Sequence, residues 1–116
     1  MNTASQTTLY IGLNDRNTGE QKYSTEKYLS LLKAVCRSYH TPFSVTRIQG
    51  GYFHEDGRYV EEETLVLMMV DVRQETIEEI AKDLCVFFNQ ENIMITEGTC
   101  RVRFLQERLE NEEAHE

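Results

Sequence analysis

Three consecutive carboxylates, Glu61-Glu62-Glu63, a glycine pair at Gly50-Gly51 and the neighbouring Tyr52 are the residues here whose types and spacing bear on chemistry. General acid–base work needs two tunable groups placed across a substrate. Successive residues of an extended strand point to opposite faces, so adjacent members of the glutamate run do not cooperate. Asp56-Gly57 between two extended runs predicts a two-residue hairpin turn, because glycine accepts positive φ without steric penalty. That turn sets Ile48 opposite Leu65, Gly50 opposite Glu63, Tyr52 opposite Glu61 and His54 opposite Tyr59, all on one side. The polar-aromatic surface around the Gly50 gap suits a ligand ring by stacking and a donor group by its carboxylates. It suits a solvated hairpin tip equally well. A bulge at Gly50-Gly51 would shift the register and dissolve the grouping beyond it. The candidate ligand contacts are Tyr10, Arg47, Gly50, Gly51, Tyr52, Glu61 and Glu63.

Other constellations carry less. Arg47, Arg101 and Arg103 are the anion-binding candidates, the last two sharing a strand face by their spacing, and all three also suit a solvated surface. His54-Glu55-Asp56 holds metal-ligating atoms, but consecutive residues across a turn converge poorly and no second histidine lies nearby. No glycine-rich phosphate loop precedes a helix, and no nucleophile motif with a matching base stands out. The reading assigns no catalytic residue, no metal and no cofactor.

Periodicity gives the elements that must hold these residues. Thr7–Leu13 reads as a first strand and Asn14–Tyr23 as a polar loop. Ser24 is the expected N-cap of a helix over Thr25–Tyr39, with Tyr28, Leu31, Leu32 and Val35 at helical spacing and Pro42 beyond its end. Phe43–His54 and Arg58–Val72 form the hairpin. Its second arm holds Leu65–Val70, an apolar run that breaks the alternation of a half-exposed strand and predicts that both its faces are covered. Ile77, Ile80, Ala81, Leu84 and Phe88 give a second helix, ended by Asn89-Gln90-Glu91-Asn92. Ile93–Thr96 is a fourth strand, Glu97-Gly98 a turn, and Thr99–Leu105 a fifth, short strand.

The chain has 116 residues, enough for a core without disulfides or metal, and reads as one α+β domain over 1–106 with an acidic tail over 107–116. Net charge is −8, half of it in that tail, which argues against nucleic-acid binding. No apolar run approaches the roughly 18 residues that span a membrane. The first residues lack the basic and apolar regions of a secretion signal, so the expected location is cytoplasmic. Cys36, Cys85 and Cys100 form no Cys-x-x-Cys pair and read as reduced, mostly buried small hydrophobes.

The order β-α-β-β-α-β fits a ferredoxin-like split βαβ plait with an extra C-terminal strand, both helices on one sheet face and strands one and three central. At this level the chain resembles small ferredoxin-like proteins that assemble through their sheets, the PII-type signalling proteins and the CutA-like family. A looser resemblance, on Leu9-Tyr10-Ile11-Gly12-Leu13, Gly51-Tyr52 with Asp56-Gly57, and Asn89-Gln90-Glu91, is to small domains of bacteria and phages. The Glu55–Arg58 link is too short for the long ligand-bearing loop of PII-type proteins, so oligomerisation transfers and nucleotide contacts do not. The resulting expectation is a non-catalytic homo-oligomeric module, paired through its sheet face, that binds a small anionic or nucleotide-like ligand near Gly50–Glu63. The alternative is an acidic inhibitor or adaptor of phage type masking a basic surface on a host protein. An enzyme stands third.

Overall fold

The computed structural model describes residues 2–107. Strand β1 spans Asn2–Gly12, helix α1 Thr25–Ser38, β2 Ser44–Phe53, β3 Tyr59–Val70, α2 Gln74–Phe87 and β4 Met94–Val102. All pairings are antiparallel, and the sheet order is β2-β3-β1-β4. The α+β class therefore holds, with two helices against one four-stranded sheet. The acidic segment 107–116 lies, apart from Glu107, outside the described residues.

Alternation along the strands sorts the core. Leu9, Ile11, Leu65, Leu67 and Met69 point to the helices and are buried with Tyr28, Leu32, Val35, Ile77, Ile80 and Leu84. Tyr28 and Phe88 pack ring to ring across the helix pair at 4.9 Å between centroids. Cys36 is buried among them, and burial pushes its thiol up to about 11. Ser24 caps α1 as expected, its hydroxyl accepting from the Lys27 amide. Each helix closes with a residue in the left-handed region, His40 after α1 (φ 53°) and Asn89 after α2 (φ 49°). At α2 the Asn89 amide donates to the Val86 carbonyl and the Gln90 amide to the Cys85 carbonyl, the paired bonds of a Schellman end.

Two expectations are corrected. The extra C-terminal strand does not form: β4 runs unbroken through Glu97-Gly98, because the long β1 offers pairing partners throughout, Thr7 opposite Glu97 and Gln6 opposite Gly98. The hairpin turn is also one residue longer than expected. The His54 amide donates to the Arg58 carbonyl and the Gly57 amide to the His54 carbonyl, both at 2.8 Å, with Gly57 at φ 86°. These bonds define a three-residue loop, Glu55-Asp56-Gly57, whose last residue takes the left-handed conformation. Pairing therefore runs Gln49↔Glu63, Gly50↔Glu62, Gly51↔Glu61 and Tyr52↔Val60, with no bulge at the glycines.

The sheet face away from the helices carries the even-numbered residues of all four strands. Among these strand positions one residue is charged, Glu62. The rest are threonines and other small or polar side chains with a band of apolar ones, including Val66, Met68 (37% exposed) and Val70 (43% exposed). No helix among the described residues is long and apolar enough to cross a membrane.

Candidate functional site

Glu62 is the centre of the site. On β3 it faces away from the helices, and its carboxylate lies over Gly12 of β1, in the space a side chain would occupy. A Cβ at Gly12 would stand 2.5 Å from Glu62 Cδ and 2.6 Å from Oε1. Gly12 thus provides a seat for the carboxylate, a close approach that only a missing side chain permits. The Asn14 amide donates to Glu62 Oε2 at 2.9 Å and fixes the group there. A charge-assisted bond of this type is stronger than a neutral one.

Around that carboxylate lies a cleft of ≈ 500 Å³. Its floor is the sheet face, through Tyr10, Thr64 and Met94, and Tyr52 and His54 of the hairpin flank it. Tyr52 and His54 have ring centroids 6.3 Å apart. The walls are two polar loops, Asn14–Gly19 after β1 and Gln90–Asn92 after α2. Asp15 organises the first loop. Its Oδ1 accepts from the Asn17 and Thr18 amides at 2.8 and 3.3 Å, and its Oδ2 accepts from Asn89 Nδ2 at 2.9 Å. The Asn89 bond foremost, then the Asn17 amide, holds the Asp15 carboxyl below the usual range, although the side chain is nearly inaccessible to solvent.

The structure divides the expected site residues between two faces. Tyr10 and Tyr52 line the cleft, and Gly50 lies on the same face opposite Glu62. Arg47, Gly51, Glu61 and Glu63 face the helix side. Arg47 forms ion pairs with Glu26 at 3.2 Å and Glu63 at 3.3 Å, and Glu61 accepts from Gln49 at 3.2 Å. Gly51 lies under the Tyr59 ring, which fills the space a Cβ would need. The expected cluster of Gly50, Tyr52, Glu61 and Glu63 on one side is therefore corrected, because a one-residue change of register exchanges the faces. Arg101 and Arg103 lie toward the far end of β4 from the cleft. Sequence reasoning missed Gly12, Asn14, Glu62 and Thr64. The available signal was Gly12 itself, a glycine at the end of a central strand where a neighbour approaches the backbone.

No protein-family model matches the chain, and no curated protein matches it significantly. Among solved structures it is similar to a phage SAM lyase in complex with S-methyl-5′-thioadenosine, with a TM-score of 0.63 and 17% identity over 82% of this chain and 80% of that one. It is also similar to a phage SAM lyase in the apo state, with a TM-score of 0.63 and 16% identity over 90% and 94% of the two chains. These likenesses establish the fold. They agree with the looser resemblance to phage domains, while a PII-type or CutA-like relationship is not shown. The neighbours are enzymes, which overturns the expectation of a non-catalytic binding module and, with it, the masking protein offered as its alternative.

Proposed function

We propose that this protein is a lyase that cleaves S-adenosyl-L-methionine and releases S-methyl-5′-thioadenosine, on a ferredoxin-like plait that the strand order β2-β3-β1-β4 supports. The observation that carries this reading is the seated Glu62 carboxylate, the single charge on its sheet face, in a cleft shared with Tyr10 and Tyr52 on a fold like that of phage SAM lyases.

The chemistry asks little of the protein. Releasing the thioether breaks the bond between the sulfonium sulfur and the γ-carbon of the methionine chain. The bonding pair returns to sulfur, which leaves neutral and needs no acid. The γ-carbon takes its new pair from the substrate's own carboxylate, closing a five-membered lactone. Among its described residues the cleft presents no cysteine or lysine, and this route needs neither. The protein's task is to fold the substrate so that carboxylate and γ-carbon meet, a gain from proximity and orientation.

Glu62 is best assigned to the substrate's α-ammonium. The sulfonium charge disappears in the transition state, so a carboxylate against sulfur would favour the ground state and slow the step. The ammonium keeps its charge throughout. Tyr10 and Tyr52 offer ring faces for the adenine and for the cationic sulfur. The originally expected anion site is thus recast as a site for a cationic, nucleoside-bearing ligand, and Gly50 serves it as open space beside Glu62.

The same proposal includes a homo-oligomer paired through the bare sheet face. The chain is acidic overall, so a second copy approaches with least repulsion where charge is nearly absent, and charge depletion marks interface cores. Cytoplasmic action belongs to the reading as well, in keeping with cysteines that form no disulfide. The test is incubation of the purified protein with S-adenosyl-L-methionine, with chromatographic and mass-spectrometric detection of S-methyl-5′-thioadenosine. Enzyme-dependent product, reduced in Glu62→Gln, is expected. Product at the rate of buffer alone would overturn the proposal.

A further inference from the structure

We propose that Gln90, with Asn89 beside it, is a positioning residue that holds Glu62 in place through the backbone of Asn14; the kinetic part of this inference rests on the lyase reading above. Asn14 carries both bonds of the relay. Its amide donates to Glu62 Oε2 at 2.9 Å, while its carbonyl accepts from Gln90 Nε2 at 2.6 Å. Two further bonds tie the same segments. The Arg16 amide donates to the Asn89 carbonyl at 3.1 Å, and Asn89 Nδ2 donates to Asp15 Oδ2 at 2.9 Å. The end of α2 thereby grips the loop after β1 at three consecutive residues, across more than 70 positions of sequence.

The grip has a physical reason. Leu13 is the last buried apolar residue before the loop, and in the polar stretch that follows Asp15 is the one side chain buried before Thr25. The buried Leu13 side chain fixes the start of the loop, and from Asn14 onward hydrogen bonds and the buried Asp15 hold its course. The donors come from a rigid source, because Asn89 and Gln90 occupy the two positions that close α2. Gln90 Nε2 also reaches the Phe88 carbonyl of its own helix at 3.5 Å, which ties the donor to the helix end. A side chain of the cleft wall thus acts on the Glu62 carboxylate through the backbone of Asn14.

The test uses Gln90→Met, which keeps length and removes the donors, and Gln90→Lys, which restores a donor. Asn89→Gly serves as a second variant, retaining the left-handed backbone while deleting the bond to Asp15. Hydrogen exchange of the Asn14 amide by NMR needs no substrate: protection in the wild type should fall about five- to tenfold in Gln90→Met, the worth of one neutral hydrogen bond, and recover in Gln90→Lys. Kinetics with S-adenosyl-L-methionine should show KM rising by a similar factor of about five to ten with kcat within about twofold, the pattern of lost uniform binding. In a Glu62→Gln background, Gln90→Met should add nothing further, since both act through one group. Unchanged Asn14 exchange in folded Gln90→Met and Asn89→Gly, or a full additional loss on top of Glu62→Gln, would overturn the relay. A wild type that cleaves no S-adenosyl-L-methionine would sink the lyase reading, while the exchange measurement would still decide the relay.

Discussion

Adding one methyl group, Gly12→Ala, separates the function of the site from the stability of the fold. The new Cβ would meet Glu62 Cδ at 2.5 Å, where ordinary contact is 3.4 Å, so the carboxylate must retreat by about 0.9 Å. That retreat is enough to open the 2.9 Å bond from the Asn14 amide beyond hydrogen-bonding distance. A hydrogen bond to a charged group contributes about 1.5–3 kcal/mol, and a misplaced carboxylate forfeits a similar amount with its ligand, or roughly ten- to hundredfold in kcat/KM. The fold itself should tolerate the change. The obstructing atoms are the end of a flexible, partly exposed side chain, and replacing glycine inside a strand returns about 0.5–1 kcal/mol. Melting followed by circular dichroism should therefore stay within a few degrees of the wild type, on the scale of a change of about 1 kcal/mol. Release of S-methyl-5′-thioadenosine should drop by one to two orders of magnitude, chiefly through KM. A folded Gly12→Ala protein with full activity would refute the role given to Glu62. A collapse in melting temperature would show that the seat is structural.

Three further outcomes are expected. Leu84→Ala removes a fully buried side chain of α2 and should cost about 2–5 kcal/mol in denaturant unfolding, while Glu79→Ala on the exposed side should change little; equal effects would contradict the helical phase. Met68→Asp, on the bare sheet face, should shift light scattering toward monomer at a cost of order 3–5 kcal/mol to assembly, and a wild type that is already monomeric would end the oligomer proposal. The Tyr39 hydroxyl donates to Asp83 at 2.7 Å, and that bond, with burial and nearby carboxylates, pushes its pKa up to about 12. Because the folded value lies above the ordinary 10.0, this link between the helices is intact below pH 10 and is lost as pH rises toward 12; ultraviolet titration should show a late component that Tyr39→Phe removes.

Local signals with a single physical solution were readable in the sequence. The Ser24 cap and the Ile77–Phe88 stripe each admit one arrangement and appear where expected, whereas the apolar run of β3, expected to be covered on both faces, leaves Met68 and Val70 exposed in the single chain. Features set by a partner strand were not readable. The polar segment Asn2–Gln6 extends β1 because β4 pairs with it, and Glu97-Gly98 stays extended for the same reason. The hairpin was misread by one residue, since Asp-Gly serves a two-residue loop and the last two places of a three-residue loop alike. Tyr10 and Tyr52 were found because aromatic residues on exposed strands are conspicuous. Glu62 was passed over because the wrong register placed it on the other face, between two carboxylates that in fact serve Arg47 and Gln49.

The same hairpin makes the site sensitive to arithmetic. Strand β3 is anchored to β1 independently of the loop, so a length change at Glu55–Gly57 acts on β2 alone. One residue inserted into the pairing rather than into the loop would invert β2: Tyr52 would leave the cleft, Arg47 its ion pairs and Val45 the core. Two inserted residues restore every side chain to its own face, displaced by one rung. Length changes that move the register should therefore be tolerated by parity rather than by size. A lineage drifting in sequence could replace the loop's residues and lengthen it, yet a single-codon slip taken up by β2 itself would dismantle the site while β3, β1 and β4 stay paired.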